Sequence, residues 1–594
     1  MLCGQYPRLA RPGFPGLVTP PPPGPLADGI EEGKRLIRVG GDKGLSLAEK
    51  ISERFQRLAW RSPLHGLRLG GRHPLKLITV ADDPFAGDPA RGRALLDGVL
   101  VFRGERHHLD SLDLRRPAVS TAFAAHLHGF AWLRDLAAAA PRAQSSPVAE
   151  ALTRRWLDAH ADTVADPAWR PDLWGRRILA WGAHAPLILS SGDLVYRSKL
   201  LHALARGARH LERTADRALA GPGRIAAWCG VVAAGLLIPG GDPRRSFGEG
   251  GLLRAIGASV TSDGGTIGRS PIGQLDALML LVALRAVYAA RRIEAPAFVD
   301  ETITRLVPPL LGVCHGDRGL GSWQGGGPVP GDAIDAAIAA SGVRTRPLRQ
   351  AREWGYQRIS AMATLLLIDA APPPVARSIE GGCASTLAFE LSDGPNRFVV
   401  NCGGARMAST TLPAALTEGL RTTAAHSTLV LGNSNSTAIH ADGTLGKGVG
   451  EVELSRAETD TASRLEATHD GYVRRHGFVH RRSIAVGGDG RDVRGEDSLL
   501  PAGRKRKRAD IGFAIRFHLA PSVEVSPTAD GQAAVLRLPG NILWQFRCKG
   551  AALAIEESVW IDGDGRPHPS QQLVVSGDAT PGGASVSWWF HRSK

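Results

Sequence analysis

The chain has 594 residues, of which 43% are hydrophobic and 22% are charged. This length exceeds what one hydrophobic core can organise, and the composition is that of a globular protein, so we expect two or three folding units and no membrane-spanning segment. The net charge of +15 at pH 7 favours an anionic partner, either a nucleic acid or an acidic substrate such as a uronate polymer.

The first residues of the chain are unlike a folded domain. Residues 1–44 are rich in proline and glycine, and we expect them to form a disordered lead. They lack the apolar stretch of a secretory signal, which favours a cytoplasmic location. Short strand-like pieces between turn residues, such as 98–102, predict a small preamble over 45–117.

A helical domain is predicted over 118–345. Apolar residues recur there at helical spacing in segments separated by Gly, Pro and Asp breaks. Because the connections are short, each helix must bury one face against a neighbour, which allows a bundle, a solenoid or a toroid. Examples of the predicted helices are 122–138, 148–161, 174–181, 196–218, 223–238, 274–290 and 297–313.

The periodicity then changes from that of helices to that of strands. We expect a junction over 346–371 and a β domain over 372–594, beginning at three consecutive prolines. Many short alternating segments with regular turn signals, including 387–391, 397–401 and 427–431, predict a large antiparallel sandwich.

Two other features of the sequence argue against nucleic-acid binding and against a zinc site formed by cysteines. The basic run RKRKR at 504–508 lies between two strand-like stretches and is typical of a solvated loop. No recognition helix, aromatic RNA-binding motif or zinc finger accompanies it, so we expect no nucleic-acid partner. The six cysteines are scattered without a CxxC pair, which predicts buried thiols and neither a zinc knuckle nor a disulfide framework.

Several motifs resemble those of the heparinase II/III-like polysaccharide lyases and occur in the family's order. The resemblance covers about 85–594 and implies an incomplete α/α toroid packed on an antiparallel β-sandwich, with a substrate cleft between them. The principal strings are DGGTIGRSP at 263–271, RFVVNCG at 397–403, TAAHSTL at 423–429 and HDGY at 469–472. Further matches are LHGFAWL at 127–133, HGDRGL at 315–320, GYQR at 355–358, HRR at 480–482, GED at 495–497 and RFHL at 516–519.

The reaction implied by this resemblance is β-elimination from a uronate. It requires a base for the C5 proton, an acid for the leaving oxygen and donors or a cation on the carboxylate. His426 matches the family's histidine and is our candidate for base or acid. The alternative for His426 is a histidine that caps a turn and bonds to a backbone carbonyl.

The helical half of the expected cleft departs from the family pattern. Active members carry Tyr-His shortly after the Ser-Pro, where this chain has Gly273 and Gln274, and the helix that often supplies an asparagine offers Arg224 instead. Arg224 is a candidate partner for the carboxylate, and Tyr356 and Tyr472 are candidates for the missing phenol. The alternatives are that Tyr356 packs at the domain junction and that Tyr472 bonds to backbone at a sandwich corner.

Arg269 matches a family arginine, and we expect it to hold an anionic sugar through paired hydrogen bonds or, alternatively, to fix its loop by a salt bridge. Trp132 and Trp174 are candidates for stacking on sugar faces, although most helical tryptophans belong to the core. His440, Asp442, His469 and Asp470 are the residue types that bind metal, but their spacing is not diagnostic, so we predict no cofactor and keep a structural zinc or calcium ion as the alternative.

The leading prediction is therefore a lyase that cleaves an acidic polysaccharide, and the alternative is a catalytically impaired glycan-binding protein on the same scaffold. The missing Tyr-His and asparagine favour the second, while the retained His426 allows the first. The resemblance implies the cell envelope or periplasm, against the cytoplasmic location that the missing leader favours. The particular polysaccharide and the oligomeric state are left open by the sequence.

Overall fold

The computed structural model of the protein describes Ile30 and Ile379 together with residues 32–38, 63–71, 74–115, 117–375, 381–406, 412–503 and 509–593. The predicted basic loop at 504–508 and most of the predicted disordered lead lie outside these residues.

The first part of the chain is helical. A short hairpin, formed by β2 (Val99–Phe102) and β3 (Glu105–His108), follows the first two helices. The helices are α1 (Pro63–Arg68), α2 (Pro89–Leu96), α3 (Thr121–Gly129), α4 (Trp132–Ala139), α5 (Arg142–His160), α6 (Pro171–Ala183), α7 (Ala185–Ile188), α8 (Leu194–Thr214), α9 (Pro222–Leu237), α10 (Asp242–Gly257), α11 (Pro271–Ala290), α12 (Ala297–Gly312) and α13 (Gly331–Ser341). Their apolar faces form one continuous core, and the arrangement is an incomplete α/α toroid.

The second part of the chain is a β domain with two short helices, α14 (Ala414–Gly419) and α15 (Val473–His476). Its strands are β4 (Tyr356–Ala361), β5 (Thr364–Asp369), β6 (Phe389–Asp393), β7 (Asn396–Val400), β8 (Leu429–Leu431), β9 (Glu451–Glu458), β10 (Ala462–His469), β11 (Phe478–Gly487), β12 (Asp492–Pro501), β13 (Ile511–Leu519), β14 (Glu524–Pro527), β15 (Ala533–Leu538), β16 (Ile542–Lys549), β17 (Ala552–Ile561), β18 (Pro567–Ala579) and β19 (Ala584–Arg592).

These strands form two antiparallel sheets. One runs in the order β9-β10-β11-β12-β19-β16-β15-β14, and the other runs β17-β18-β13-β7-β6-β5-β4, with β8 paired to β13. Aromatic side chains fill the space between them, for example Phe389 stacked on Trp588 with ring centroids 5.4 Å apart. The predicted toroid followed by a large sandwich is confirmed.

Two predicted boundaries are wrong. Residues 33–38, placed in the disordered lead, form strand β1 (Gly33–Arg38), which pairs with β9 at the edge of the larger sheet. The alternating side chains of β1 allow this, because Ile37 packs against the sandwich core while its neighbours stay exposed. Strands β4 and β5 both lie inside the predicted junction, so the continuous series of sandwich strands begins at Tyr356 and not at 372.

The helix predictions fail where glycine or a left-handed residue interrupts the pattern. Residues 122–138 were predicted as one helix, but Phe130 adopts φ 61° and separates α3 from α4. Helix α10 lies in the predicted helical domain, but no individual helix was named there because its glycines obscure the periodicity. One of them, Gly251, lies under the ring of Trp228, and an added Cβ would come within 2.2 Å of that ring.

Helix α11 is the one feature in the described part of the chain that bears on the expectation of no membrane-spanning segment. This 20-residue helix is long and apolar enough to cross a membrane. It is the one helix in the described part of the chain that meets both criteria. Leu278, Leu281 and Leu284 are nevertheless fully buried in the helical core. A core helix meets the same criterion, so α11 is weak support for a membrane span.

The predicted buried thiols are observed for four cysteines, since Cys229, Cys314, Cys383 and Cys402 are free and buried. Cys548 is free and half-buried, and Cys3 lies outside the described residues.

Replacing Gly175 by alanine is expected to destabilise the helical domain. Helices α6 and α9 touch at Gly175 and Gly230, and a Cβ on Gly175 would lie 1.9 Å from the carbonyl oxygen of Ala226. Separating the two backbones should lower the free energy of unfolding by about 3 kcal/mol. The matched control is Gly257→Ala at the end of α10, where an added Cβ meets nothing within 4 Å. Equal urea midpoints for the two variants would contradict this account of the packing.

Candidate functional site

A cavity of about 930 Å³ lies between the helical domain and the β domain. Helices α3, α6 and α11 form one wall, and the β domain contributes the other through Ile379, Gly381, Ala405, Arg406 and four residues between Leu412 and Glu418. The wall combines a mostly apolar surface with five arginines and five carboxylates, and an apolar surface with placed polar groups is the usual character of a ligand site.

Three ion pairs are built into the helical wall. Arg134 contacts Asp83 at 2.7 Å, Arg170 contacts Asp172 at 2.9 Å, and the guanidinium of Arg176 binds both carboxylate oxygens of Asp276. Each pair is largely neutral, so these arginines are poorly available to a ligand.

Two histidines also line the cavity. The ring of His184 lies 3.0 Å from the Asp83 carboxylate, and although burial alone would raise the pKa of Asp83, hydrogen bonds from His184 and Arg134 lower it to about 2. His126 stacks on Phe102, and burial together with the charges of nearby arginines lowers its pKa to about 3. His126 is therefore neutral at physiological pH.

The predicted catalytic histidine is not at the surface of this cavity. His426 is 1% exposed, its Nδ1 lies 2.7 Å from the carbonyl oxygen of Thr422, and burial lowers its pKa. It follows the 3-10 turn Thr423–Ala425 and stands outside the cavity wall. The structure thus places His426 as in the alternative, a turn histidine that bonds to a backbone carbonyl.

Neither predicted tyrosine reaches the cavity. The hydroxyl of Tyr356 donates to the carbonyl oxygen of Arg269 at 2.6 Å, and its ring lies against Trp354 at the domain junction. The hydroxyl of Tyr472 donates to the carbonyl oxygen of Leu429 at 2.8 Å. Burial raises the pKa of both phenols, so neither is poised to exchange a proton.

The guanidinium groups of the two predicted substrate-binding arginines bind other groups of the protein. Arg269 forms a buried ion pair with Asp369 and donates to the carbonyl oxygens of Trp354 and Pro372 at 2.7 and 2.6 Å. It fixes its loop, as its alternative stated. Arg224 donates to the carbonyl oxygen of Ala218 at 3.0 Å and does not line the cavity.

The two candidate tryptophans belong to the core. Trp132 and Trp174 are 1% and 0% exposed. Trp174 lies in an aromatic cluster in which the buried guanidinium of Arg177 stacks on Trp156 at 4.0 Å and on Trp174 at 4.2 Å. No sugar face can reach these rings.

The carboxy-terminal part of the chain matches a known protein family. A family model described as "Heparinase II/III-like, C-terminal" matches residues 343–589. The carboxy-terminal domain belongs to the heparinase II/III-like family. The predicted resemblance is confirmed for this part of the chain.

Similarity beyond this heparinase II/III-like domain extends over most of the chain. "FtsZ-localized protein C" of Caulobacter vibrioides is 28% identical over 582 residues, which cover 92% of this chain and 96% of that protein. A crystal structure of heparinase III matches with a TM-score of 0.66 at 13% identity over 93% of each chain. Heparan sulfate lyase HepC from Pedobacter heparinus matches with a TM-score of 0.55 at 14% identity, covering 92% of this chain and 91% of that one. At such identities the two lyase structures establish the fold alone.

The position at which active family members carry Tyr-His has a different role here. Gly273 lines the cavity and adds no side chain to it. Gln274 is fully buried, where its oxygen accepts from the backbone N–H of Thr266 at 2.8 Å and its nitrogen donates to the carbonyl oxygens of Gly264 and Leu306. The pair shapes the loop and offers no phenol or imidazole.

The four residues considered as metal ligands do not converge. His469 contacts His480 at 3.1 Å, Asp470 accepts backbone N–H groups of Gly450 and Glu451, and His440 is exposed. Within the residues that the structure describes, no group of three or more His, Cys, Asp or Glu is arranged to hold a metal ion.

Sequence reasoning missed the residues that do line the cavity. Arg176 and Asp276 are 100 residues apart, and nothing in their local sequence signals that they meet. Arg103 was detectable, because Phe-Arg-Gly-Glu between two strand-like stretches is a two-residue hairpin turn that presents the arginine at its tip.

Proposed function

We propose that this protein binds an acidic polysaccharide in the cavity between its two domains and does not cleave it. The observation that carries this proposal is the contrast between a ligand-sized cavity and the placement of the predicted catalytic groups. None of His426, Tyr356 and Tyr472 lines the cavity.

The chemistry of elimination supports the same proposal. The C5 proton of a uronate is weakly acidic, so its removal requires a positioned base and an acid for the leaving oxygen. Where family members carry Tyr-His, the cavity meets only the backbone of Gly273. The histidine that matches the family's, His426, is buried directly after the Thr423–Ala425 turn and does not line the cavity. Binding can survive this loss because shape and charge suffice for it.

The proposal predicts binding without product. The protein is incubated in equimolar amount with heparan sulfate, alginate or polygalacturonate. The ultraviolet absorbance of the unsaturated uronate product should stay at baseline. Calorimetry should detect binding of at least one of these polymers. A rise in absorbance that His426→Ala abolishes would restore the lyase prediction. Retained binding by His426→Ala, with unchanged circular dichroism, would confirm that this imidazole takes no part.

A second candidate keeps the elimination and assigns it to different residues. His184 lines the cavity and is oriented by Asp83, as a general base often is by a carboxylate. Its weakness is that Arg134 shares the same carboxylate and holds it in an ion pair. Product formation that His184→Ala abolishes, and that His426→Ala leaves intact, would favour this candidate.

The relative named FtsZ-localized protein C supports a proposal about location. We infer that this chain also localises with FtsZ, because the similarity extends over nearly the whole of both proteins. A fluorescent fusion that colocalises with FtsZ would support the inference. An even distribution, or secretion to the periplasm as the lyase resemblance implied, would overturn it.

A further inference from the structure

Two arginines in the cavity lack the carboxylate partners that the others have. The wall carries five arginines, and Arg134, Arg170 and Arg176 are paired as described above. For Arg103 and Arg406, no carboxylate oxygen within the described part of the chain lies within 4.0 Å of the guanidinium. These two side chains come from opposite domains.

Arg103 occupies a costly backbone position. It stands at the tip of the β2–β3 hairpin with φ 49° and is followed by Gly104 with φ 73°, the left-handed pair of a tight turn in which Asn-Gly is favoured. An arginine gains nothing from this conformation. A strained backbone at a residue other than glycine is typical of functional sites, and here the side chain stacks on Phe102 at 5.1 Å.

The Arg406 side chain packs against the backbone of two glycines. A Cβ added to Gly325 or Gly381 would lie 3.0 or 2.9 Å from the aliphatic part of the Arg406 side chain. Both glycines adopt φ 74°, and the backbone N–H of Arg406 donates to the carbonyl oxygen of Gly325 at 3.2 Å. The aliphatic part of the Arg406 side chain therefore packs against the backbone of these glycines, while Arg406 as a whole is exposed and lines the cavity.

The two arginines are close to one another. A guanidinium nitrogen of Arg103 donates to the backbone carbonyl oxygen of Arg406 at 3.4 Å. Burial lowers the pKa of Arg103 to about 10, the charges of Arg406 and Arg91 add to this effect, and the carboxylates of Asp276 and Asp564 oppose it. An anion between the two guanidinium groups would relieve this repulsion.

We propose that Arg103 and Arg406 form an anion site that bridges the two domains and holds a carboxylate or sulfate group of the polysaccharide. This proposal rests on the proposed function and adds the residues that select for charge. The wall as a whole is not basic, since it also carries five carboxylates, of which Asp82 and Glu418 are exposed and lack an ion pair in the described chain. Selectivity must then come from this one pair and not from net charge.

The site also couples the domains. The tip of the hairpin packs against the turn between β17 and β18, where a Cβ on Gly104 would lie 3.1 Å from the carbonyl oxygen of Asp564. A ligand held by both arginines would connect this hairpin to Arg406 of the β domain.

Calorimetric titration of the full chain can test the site. The probes are a heparan sulfate octasaccharide, a polygalacturonate octamer that carries carboxylates only, and a neutral dextran oligomer. Arg103→Gln and Arg406→Gln should each weaken binding of an anionic probe about tenfold, because each removes a charge-assisted hydrogen bond. The double variant should be little weaker than either single variant, since both arginines hold one group.

Arg494→Gln is the matched control, because this arginine lies on the outer face of the larger sheet with 74% of its side chain exposed. Its affinity should equal that of the wild type, and thermal melts should show all variants folded. A preference for the heparan probe over polygalacturonate would identify sulfate as the group held, and the reverse would identify carboxylate. Unchanged affinity of Arg103→Gln and Arg406→Gln, or equal affinity for dextran, would overturn the anion site and leave glycan binding standing. Failure of the wild type to bind any of the three probes would overturn both.

Discussion

Acidification from pH 7.5 to 5.5 is expected to remove about 7 kcal/mol from the free energy of unfolding, which is comparable to the whole stability of a typical domain. The cause is a set of five buried histidines. Burial is the largest effect on each, and it lowers the pKa of His126, His128, His210 and His518 to about 3 and that of His160 to about 4.

The direction of the effect follows from proton binding. An unfolded histidine has a pKa near 6.5, so below that pH the unfolded chain takes up protons that the folded chain does not. The stability is fully present above pH 6.5 and is lost as the pH falls toward the folded values of about 3 to 4. Each histidine contributes about 1.4 kcal/mol per pH unit in this window.

Urea unfolding at a series of pH values measures this dependence. His518→Gln should reduce the slope by one proton, because the buried imidazole between Ser558 and the carbonyl oxygen of Ala424 is removed. His108→Gln is the control, since that histidine is exposed and should leave the slope unchanged. A free energy of unfolding that stays constant down to pH 5 would show that these histidines are accessible or become protonated in the folded state.

Asp497→Asn is expected to cost about 4 kcal/mol of stability, because it leaves a buried arginine without a counter-charge. The Asp497 carboxylate accepts from Arg482 at 2.8 and 2.9 Å, from His480 at 2.6 Å and from the Trp588 ring N–H at 2.8 Å. All of these side chains are 0% to 1% exposed. An asparagine offers one acceptor and directs an N–H group toward donors.

This network also supports the strand that follows His426. Arg482 donates to the carbonyl oxygens of Leu387 and Ser427 at 2.7 and 2.9 Å. Asp492→Asn serves as control, because its pair with His591 is on the surface and should contribute less than about 1 kcal/mol. The double variant Arg482→Met/Asp497→Leu should be more stable than Asp497→Asn, since it removes both charges. Equal melting temperatures for Asp497→Asn and Asp492→Asn would show that the buried network around Asp497 stabilises the fold no more than a surface ion pair does.

The fold was largely predictable because its signals are periodic and local. Helices α8, α9, α11 and α12 and the strand pattern after residue 372 follow apolar spacings that report which face is buried. Helix α10 was missed because its glycines serve close packing, as Gly251 does beneath Trp228, and glycine leaves no mark on a hydrophobic pattern. Strand β1 was missed because a short edge strand is stabilised by its partner and not by its own sequence.

The site was much less predictable, for a physical reason. Family motifs specify chain order, but they do not specify which way a side chain points. His426 and Arg269 lie in recognisable strings, yet each is buried and bonded to carbonyl oxygens. The groups that line the cavity, such as Arg176 with Asp276 and Arg103 with Arg406, meet only because distant segments are folded together.

Native mass spectrometry of the full chain with a heparan sulfate octasaccharide tests the central claim most directly, because one spectrum reports both binding and cleavage. We predict a complex of one protein with one intact octasaccharide that persists through prolonged incubation. Fragments whose masses sum to that of the octasaccharide, with no water added, would demonstrate elimination and contradict the account.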